Sequence, residues 1–199
     1  MMKKRHARVW SIVLSLAMLL TLLPATALAA GETIYVATSS SGSGELGSEG
    51  NPYTTIQAAV NAAEAGDTIK VASGEYNVFV ASDSDLNKAE EAGLYAYAVE
   101  HNLLVWKGVT IEAQDPASKP VLKTTHPGNG NGSSQQTVLI TASNVTLRNL
   151  NIQVTTSEPN KAVEIMDWNE NDGVNVTNIT IDGCTINGGE VSGLYIGSQ

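Results

Sequence analysis

The stretch from Asn51 to Val71 reads NPYTTIQAAVNAAEAGDTIKV. Ile56, Ala59, Val60 and Ala63 fall on one face of a 3.6-residue period, which predicts a short amphipathic helix. A helix of this length is marginal in isolation. Because three of these four residues are small or short, the helix can lie close to a flat surface, and we expect the strands that follow to supply that surface.

The two ends of this helix carry recognisable signals. Thr54 with Gln57 three residues later fits a capping box at the helix start. Gly66 follows the last periodic residue, where a left-handed conformation ends a helix. Asp67 and Thr68 then turn the chain into Ile69–Val71, which alternates like a strand.

The first residues are typical of a secretory leader. Four basic residues precede an apolar run from Trp10 to Leu23, and Ala27–Ala29 fits the small-x-small cleavage pattern. We therefore expect residues 1–29 to be a signal peptide, cleaved after Ala29. The alternative, an uncleaved membrane anchor, requires a longer apolar segment than this one.

Charge and cysteine content limit the partners of the remaining chain. The leader contains four of the 11 basic residues and none of the 20 acidic ones, so residues 30–199 carry a net charge of −13. Such a surface disfavours nucleic acid and anionic membranes, and it repels polyanions unless a cation bridges them. Since Cys184 is the single cysteine, no intramolecular disulfide is expected.

The chain after the leader divides into three parts. Residues 30–80 are expected to form a cap and first coil, with a strand at 32–37, a Ser/Gly-rich loop at 39–50, a turn at 73–76 and a strand at 78–80. Residues 81–105 are interpreted as a helical insertion, although strands are expected to resume at Leu103. Residues 106–199 are expected to form further coils that continue beyond residue 199.

A repeat runs through this last part. The pattern apolar-Thr-apolar occurs at Val109–Ile111, Val145–Leu147 and Ile179–Ile181, at intervals of 36 and 34 residues. Further strands are predicted at 137–140, 162–165 and 193–196. A unit of about three short strands cannot bury its apolar face alone, whereas stacked units share one core.

These features predict an all-β fold, a right-handed parallel β-helix (β-solenoid) with an N-terminal amphipathic helix cap. A β-sandwich also has short strands and turns, but it does not explain a repeat of strand triplets. We expect the helix to cover the first coil and its unpaired strand edges.

The order Ile34–Val36, a Gly/Ser loop, Asn51–Val60, Ala65–Val71 and Gly74–Tyr76 resembles the N-terminal cap of the pectin-lyase-like superfamily of right-handed parallel β-helix proteins. This resemblance covers roughly residues 32–80, and later residues match only by coil pattern. The superfamily includes polysaccharide lyases, glycoside hydrolases, epimerases and non-catalytic adhesins, so the resemblance implies a fold rather than a chemistry.

The enzymatic members of that superfamily suggest two catalytic patterns. A polygalacturonase-like site needs an Asp-Asp pair and Gly-His-Gly, and neither string occurs. His101 and His126 are interpreted as residues of the insertion or of surface loops. A pectate-lyase-like site needs calcium with an outward basic residue, for which Arg148 is the candidate because strand alternation turns Leu147 inward and Arg148 outward.

The loop that begins at Asp167 reads DWNENDG. Asp167, Glu170 and Asp172 place oxygen ligands at intervals that suit calcium, although the spacing is not that of an EF-hand. Trp168 could stack on a sugar ring. The simpler interpretation is an exposed loop between strands.

Two further features have structural interpretations. Cys184 aligns with Leu150 of the preceding repeat, so we expect it to be an inward core residue. Glycosylation sequons begin at Asn131, Asn144, Asn175 and Asn178, but asparagines at solenoid turns explain them more simply.

Together these observations predict a secreted or cell-surface β-helix module that contacts a polysaccharide or cell-wall glycan. One alternative is a polysaccharide lyase or glycoside hydrolase whose catalytic residues lie mostly beyond residue 199. Another is a non-catalytic adhesin stalk. No insertion of the chain after residue 29 into a membrane is expected.

Overall fold

The computed structural model describes residues 31–78, 103–124, 135–155, 160–167, 175–188 and 192–198. Residues 1–30, which include the expected signal peptide, the segment 79–102, His126 and residues 168–174 lie outside the described residues. The described residues contain one helix, α1 (Ile56–Ala62). Their strands are β1 (Thr33–Val36), β2 (Thr68–Val71), β3 (Glu75–Asn77), β4 (Leu103–Val105), β5 (Thr110–Ala113), β6 (Val121–Thr124), β7 (Gln135–Ile140), β8 (Thr146–Arg148), β9 (Asn151–Val154), β10 (Asn160–Asp167), β11 (Thr180–Asp182), β12 (Thr185–Asn187) and β13 (Ser192–Ser198).

Every pairing between these strands is parallel. The first sheet has the order β1-β2-β5-β8-β11, the second β4-β7-β10-β13, and the third β3-β6-β9-β12. From β2 onward, each coil therefore contributes one strand to each sheet, and β1 adds a fifth strand to the first sheet. This is the predicted right-handed parallel β-helix, the hand that connections between parallel strands usually have.

The three copies of the repeat lie directly above one another. Thr110 pairs with Thr146 and Thr146 with Thr180, while the adjacent apolar residues face the core in the same register. The core column of the first sheet is Ile34, Ile69, Ile111, Leu147 and Ile181. Full burial of each such side chain contributes roughly 1.5–3 kcal/mol, so the stacked coils stabilise one another.

Helix α1 begins one residue later than predicted. The N-cap is Thr55, whose side chain accepts a hydrogen bond from the backbone N–H of Ala58. Gln57 is not part of a capping box: it is buried, and its amide bonds to both main-chain polar groups of Leu104. Gly66 has the predicted left-handed conformation, with φ of 100°.

The free edge of β1 is closed by a loop rather than by the helix. Tyr35 donates its backbone N–H to the carbonyl oxygen of Gly47 at 2.8 Å and accepts from the N–H of Tyr53 at 2.9 Å. The helix packs against β1, β2 and β4, and it hydrogen-bonds to the second sheet through Gln57 and Leu104. Both edges are thereby blocked against further strand pairing.

Two predicted boundaries change. The expected turn at 73–76 is shorter than predicted, because strand β3 begins at Glu75 and places Tyr76 in the core above Leu122. Apart from Val78, the expected strand at 78–80 lies outside the described residues. Residues 103–105, the end of the expected insertion, form strand β4, in agreement with the expectation that strands resume at Leu103. The rest of that insertion lies outside the described part of the chain.

Within the described residues, no helix combines the length and the apolar character needed to cross a bilayer.

Candidate functional site

The outer face of the first sheet carries a column of threonines. These are Thr33, Thr68, Thr110, Thr146 and Thr180, which are register partners from one strand to the next. Parallel strands lie about 4.8 Å apart, so five hydroxyl groups repeat at that interval along the axis. The structure gives these hydroxyls no hydrogen bond to another described residue, and they remain free to contact a ligand.

A second column lies on the same face, two residues further along each strand. It consists of Tyr35, Lys70, Glu112, Arg148 and Asp182. After the tyrosine, the charges alternate in sign from coil to coil. Because each acid has a base as a register neighbour, this face is close to neutral on a chain that is otherwise strongly acidic.

Arg148 is at the centre of this charged column. As predicted, Leu147 is buried and Arg148 points outward, with 43% of its side chain exposed. One guanidinium nitrogen lies 3.2 Å from Oε2 of Glu112, and Nε lies 3.4 Å from Oδ2 of Asp182. Arg148 thus links three successive coils. Exposed ion pairs of this kind are worth about 0–1 kcal/mol, so a ligand could displace either carboxylate at low cost.

The catalytic role of Arg148 remains a hypothesis. The sequence indicated its outward direction but not its two acidic partners, because these come from strands 36 and 34 residues away. Because 43% of the Arg148 side chain is exposed, a substrate could reach the guanidinium group in competition with these two carboxylates.

The acidic loop is only partly described. Asp167 is the last residue of strand β10 and pairs in register with Ser198, so the strand extends further than the sequence predicted. Trp168, Glu170 and Asp172 lie outside the described residues. The calcium and sugar-stacking hypotheses for this loop therefore remain predictions. In the part of the chain that the structure describes, no group of three or more His, Cys, Asp or Glu side chains could hold a metal ion.

A buried ion pair on the second sheet was missed by the sequence analysis. Nζ of Lys161 lies 2.5 Å from Oε1 of Glu164, and the two side chains are only 11% and 3% exposed. The same ammonium group lies 3.9 Å from the ring centroid of Tyr195. The available signal was the lone acid within Ala162–Met166, an otherwise apolar segment. Buried charges cost free energy unless they are paired, and this pair satisfies that requirement.

Cys184 has the predicted inward direction but is only half-buried. It packs against the core, and its thiol lies 3.5 Å from the carbonyl oxygen of Leu147. Burial raises the pKa of the Cys184 thiol, which favours the protonated form, a weaker nucleophile than the thiolate.

The asparagine sequons at Asn144 and Asn178 lie at solenoid turns, as expected. Both residues have left-handed backbones, with φ of 61° and 57°. Nδ2 of Asn178 donates to Oδ1 of Asn144 at 2.7 Å. The two amides therefore stack in a ladder between coils.

The fold and this surface define a class: a parallel β-solenoid with a polar, regularly spaced outer face on its first sheet. Residues 40–197 match the family described as "Protein of unknown function (DUF1565)", and the chain belongs to this family. No curated protein matches the sequence.

Proposed function

We propose that this protein is a secreted or cell-surface β-helix module that contacts carbohydrate along the outer face of its first sheet. The observation that carries the proposal is the column of five threonines, whose hydroxyls are in register and free of other described partners. A linear glycan presents its own hydroxyl groups at regular intervals. A row of hydroxyls along the solenoid axis can exchange hydrogen bonds with several of its sugar units.

The neighbouring column supports the same ligand class. Tyr35 offers an aromatic ring of the kind that packs against the apolar face of a sugar, and the charged residues below it can hydrogen-bond to polar substituents. Because single contacts of this type are weak, affinity would arise from repetition over several coils.

The experiment is affinity electrophoresis of residues 30–199 in gels that contain soluble glycans such as hydroxyethyl cellulose and glycol chitin. We expect retardation of the wild type, and weaker retardation of the double variant Thr110→Val, Thr146→Val, which keeps side-chain shape but removes two hydroxyls. The matched control is Thr185→Val, on the outer face of the third sheet, which should behave as wild type. Equal retardation of both variants would contradict this assignment of the face.

Export is part of the proposal. The leader and the Ala27–Ala29 motif support cleavage after Ala29. N-terminal sequencing of material from the culture medium should begin at Ala30 or Gly31. Retention of Trp10–Leu23 in that material would refute cleavage.

The two alternatives predict different outcomes. A lyase or hydrolase would release unsaturated products or new reducing ends from a glycan, and Arg148→Met would abolish the release if Arg148 is the base. If the protein is a structural stalk, none of the glycans should retard its migration.

A further inference from the structure

Lys70 differs from the other described basic residues after the leader. Each of the others contacts an acid or a main-chain carbonyl: Lys107 bonds to carbonyls of Asn61 and Ala63, Lys119 to that of Gly183, Lys123 to Glu75, Arg148 to Glu112 and Asp182, and Lys161 to Glu164. Lys70 has no ion pair or hydrogen bond to another described residue. Its three N–H donors are therefore available to a ligand.

Lys70 lacks an acidic partner among the described residues because the neighbouring carboxylate, that of Glu112, pairs with Arg148. Glu112 is the register neighbour of Lys70 on one side and of Arg148 on the other. Its Oε2 lies 3.2 Å from a guanidinium nitrogen of Arg148, and the carboxylate forms no ion pair with Lys70. The planar guanidinium competes well for a carboxylate because several fixed donors match its geometry.

The surroundings of Lys70 suit a sugar that carries an acidic group. Tyr35 is its register neighbour on the other side, and the hydroxyl of Thr68 lies on the same face of the same strand. A sugar ring that packs against Tyr35 would place one of its substituents near the ammonium group of Lys70. The hydroxyl groups of the same sugar could then hydrogen-bond to the threonine column.

We infer that Lys70 makes this face selective for glycans with sparse acidic substituents: a carboxylate, sulfate or phosphate group on an otherwise neutral chain. This inference rests on the proposed function. Sparse substitution follows from the net charge of −13 after the leader, which repels a densely charged polyanion. At physiological ionic strength the screening length is about 8 Å, so Lys70 acts on a nearby anion while more distant acids are screened.

The experiment compares neutral and lightly substituted polymers on two backbones. The probes are hydroxyethyl cellulose against carboxymethyl, sulfated and phosphorylated cellulose, and glycol chitin against carboxymethyl chitin, at about 0.15 M salt. We expect dissociation constants at least roughly threefold lower for a substituted polymer, the size of an exposed ion pair. Lys70→Gln should remove this preference, measured as the ratio of the dissociation constants for the neutral and the substituted polymer on the same backbone. The matched control Lys123→Gln, on the third sheet, should retain it.

The outcomes separate this inference from the proposed function. Equal binding of neutral and substituted polymers, or a preference that survives in Lys70→Gln, overturns the role of Lys70 while carbohydrate binding stands. Binding to none of the polymers overturns both. The three acidic substituents identify which oxyanion the site accepts.

Discussion

Gln57 pairs with the main chain of Leu104 as a neighbouring strand would. Its Oε1 accepts the backbone N–H of Leu104 at 2.8 Å, and its Nε2 donates to the carbonyl oxygen of the same residue at 3.2 Å. A primary amide has the same donor and acceptor as a peptide group. One helical side chain therefore satisfies both main-chain polar groups of Leu104 on β4. Among the described residues, no strand of the second sheet lies beyond β4.

The first prediction concerns this contact. Gln57→Ala leaves the buried polar groups of Leu104 without partners, and each such loss costs about 1–3 kcal/mol. We expect the free energy of unfolding, measured by urea denaturation, to fall by at least about 2 kcal/mol. The control Gln114→Ala removes an amide from an exposed position and should change stability by less than about 0.5 kcal/mol. Equal effects of the two substitutions would refute the edge-closing role.

The second prediction concerns the buried pair on the second sheet. Glu164→Gln leaves the ammonium group of Lys161 buried without its counter-charge, which is expected to cost about 3–5 kcal/mol. The double replacement Lys161→Met, Glu164→Leu removes both charges and should restore most of that stability. The exposed pair of Lys123 and Glu75 is the control, since Glu75→Gln should cost no more than about 1 kcal/mol. A double variant as unstable as Glu164→Gln would argue against this account.

The third prediction concerns alkaline pH. Burial raises the pKa of Tyr76 from 10.0 to about 12, and its hydroxyl donates to the carbonyl oxygen of Ala72 at 2.9 Å. Between these values the unfolded chain has lost this proton while the folded chain keeps it, so folding stability falls as pH rises. The contribution is fully present below about pH 10 and lost by about pH 12. Tyr76→Phe should flatten this part of the stability profile relative to wild type, and an unchanged slope would contradict the assignment.

The fourth prediction concerns the thiol. Because burial raises the pKa of Cys184 and its side chain packs on the core, labelling by a thiol reagent at neutral pH should be much slower in the folded protein than in urea. Cys184→Val should preserve stability to within about 1.5 kcal/mol. Labelling at the same rate in both states would place the thiol in solvent.

The fifth prediction concerns calcium. If Asp167, Glu170 and Asp172 bind the ion, millimolar calcium should raise the melting temperature, because a ligand selective for the native state stabilises it. Chelation should reverse the rise, and replacing all three acids by asparagine should abolish it. A melting temperature that is independent of calcium in the wild type would leave the loop as solvated surface.

The sequence by itself determined the coils and their register. Thr110, Thr146 and Thr180 recur with apolar neighbours on both sides, and that local alternation fixes which residues face the core and which face solvent. It also predicted the outward direction of Arg148 and the turn positions of Asn144 and Asn178. These properties depend on the period of the chain, which a sequence displays directly.

Only the tertiary structure decided which polar groups meet. The sequence placed Gln57 in a capping box, but its partner is Leu104, 47 residues away. It left Arg148 without partners, whereas Glu112 and Asp182 come from adjoining coils. The lengths of the intervening loops set which side chains become neighbours, and variable loops carry no periodic signal. For the same reason, only the packed coils determine that Glu112 pairs with Arg148 rather than with Lys70.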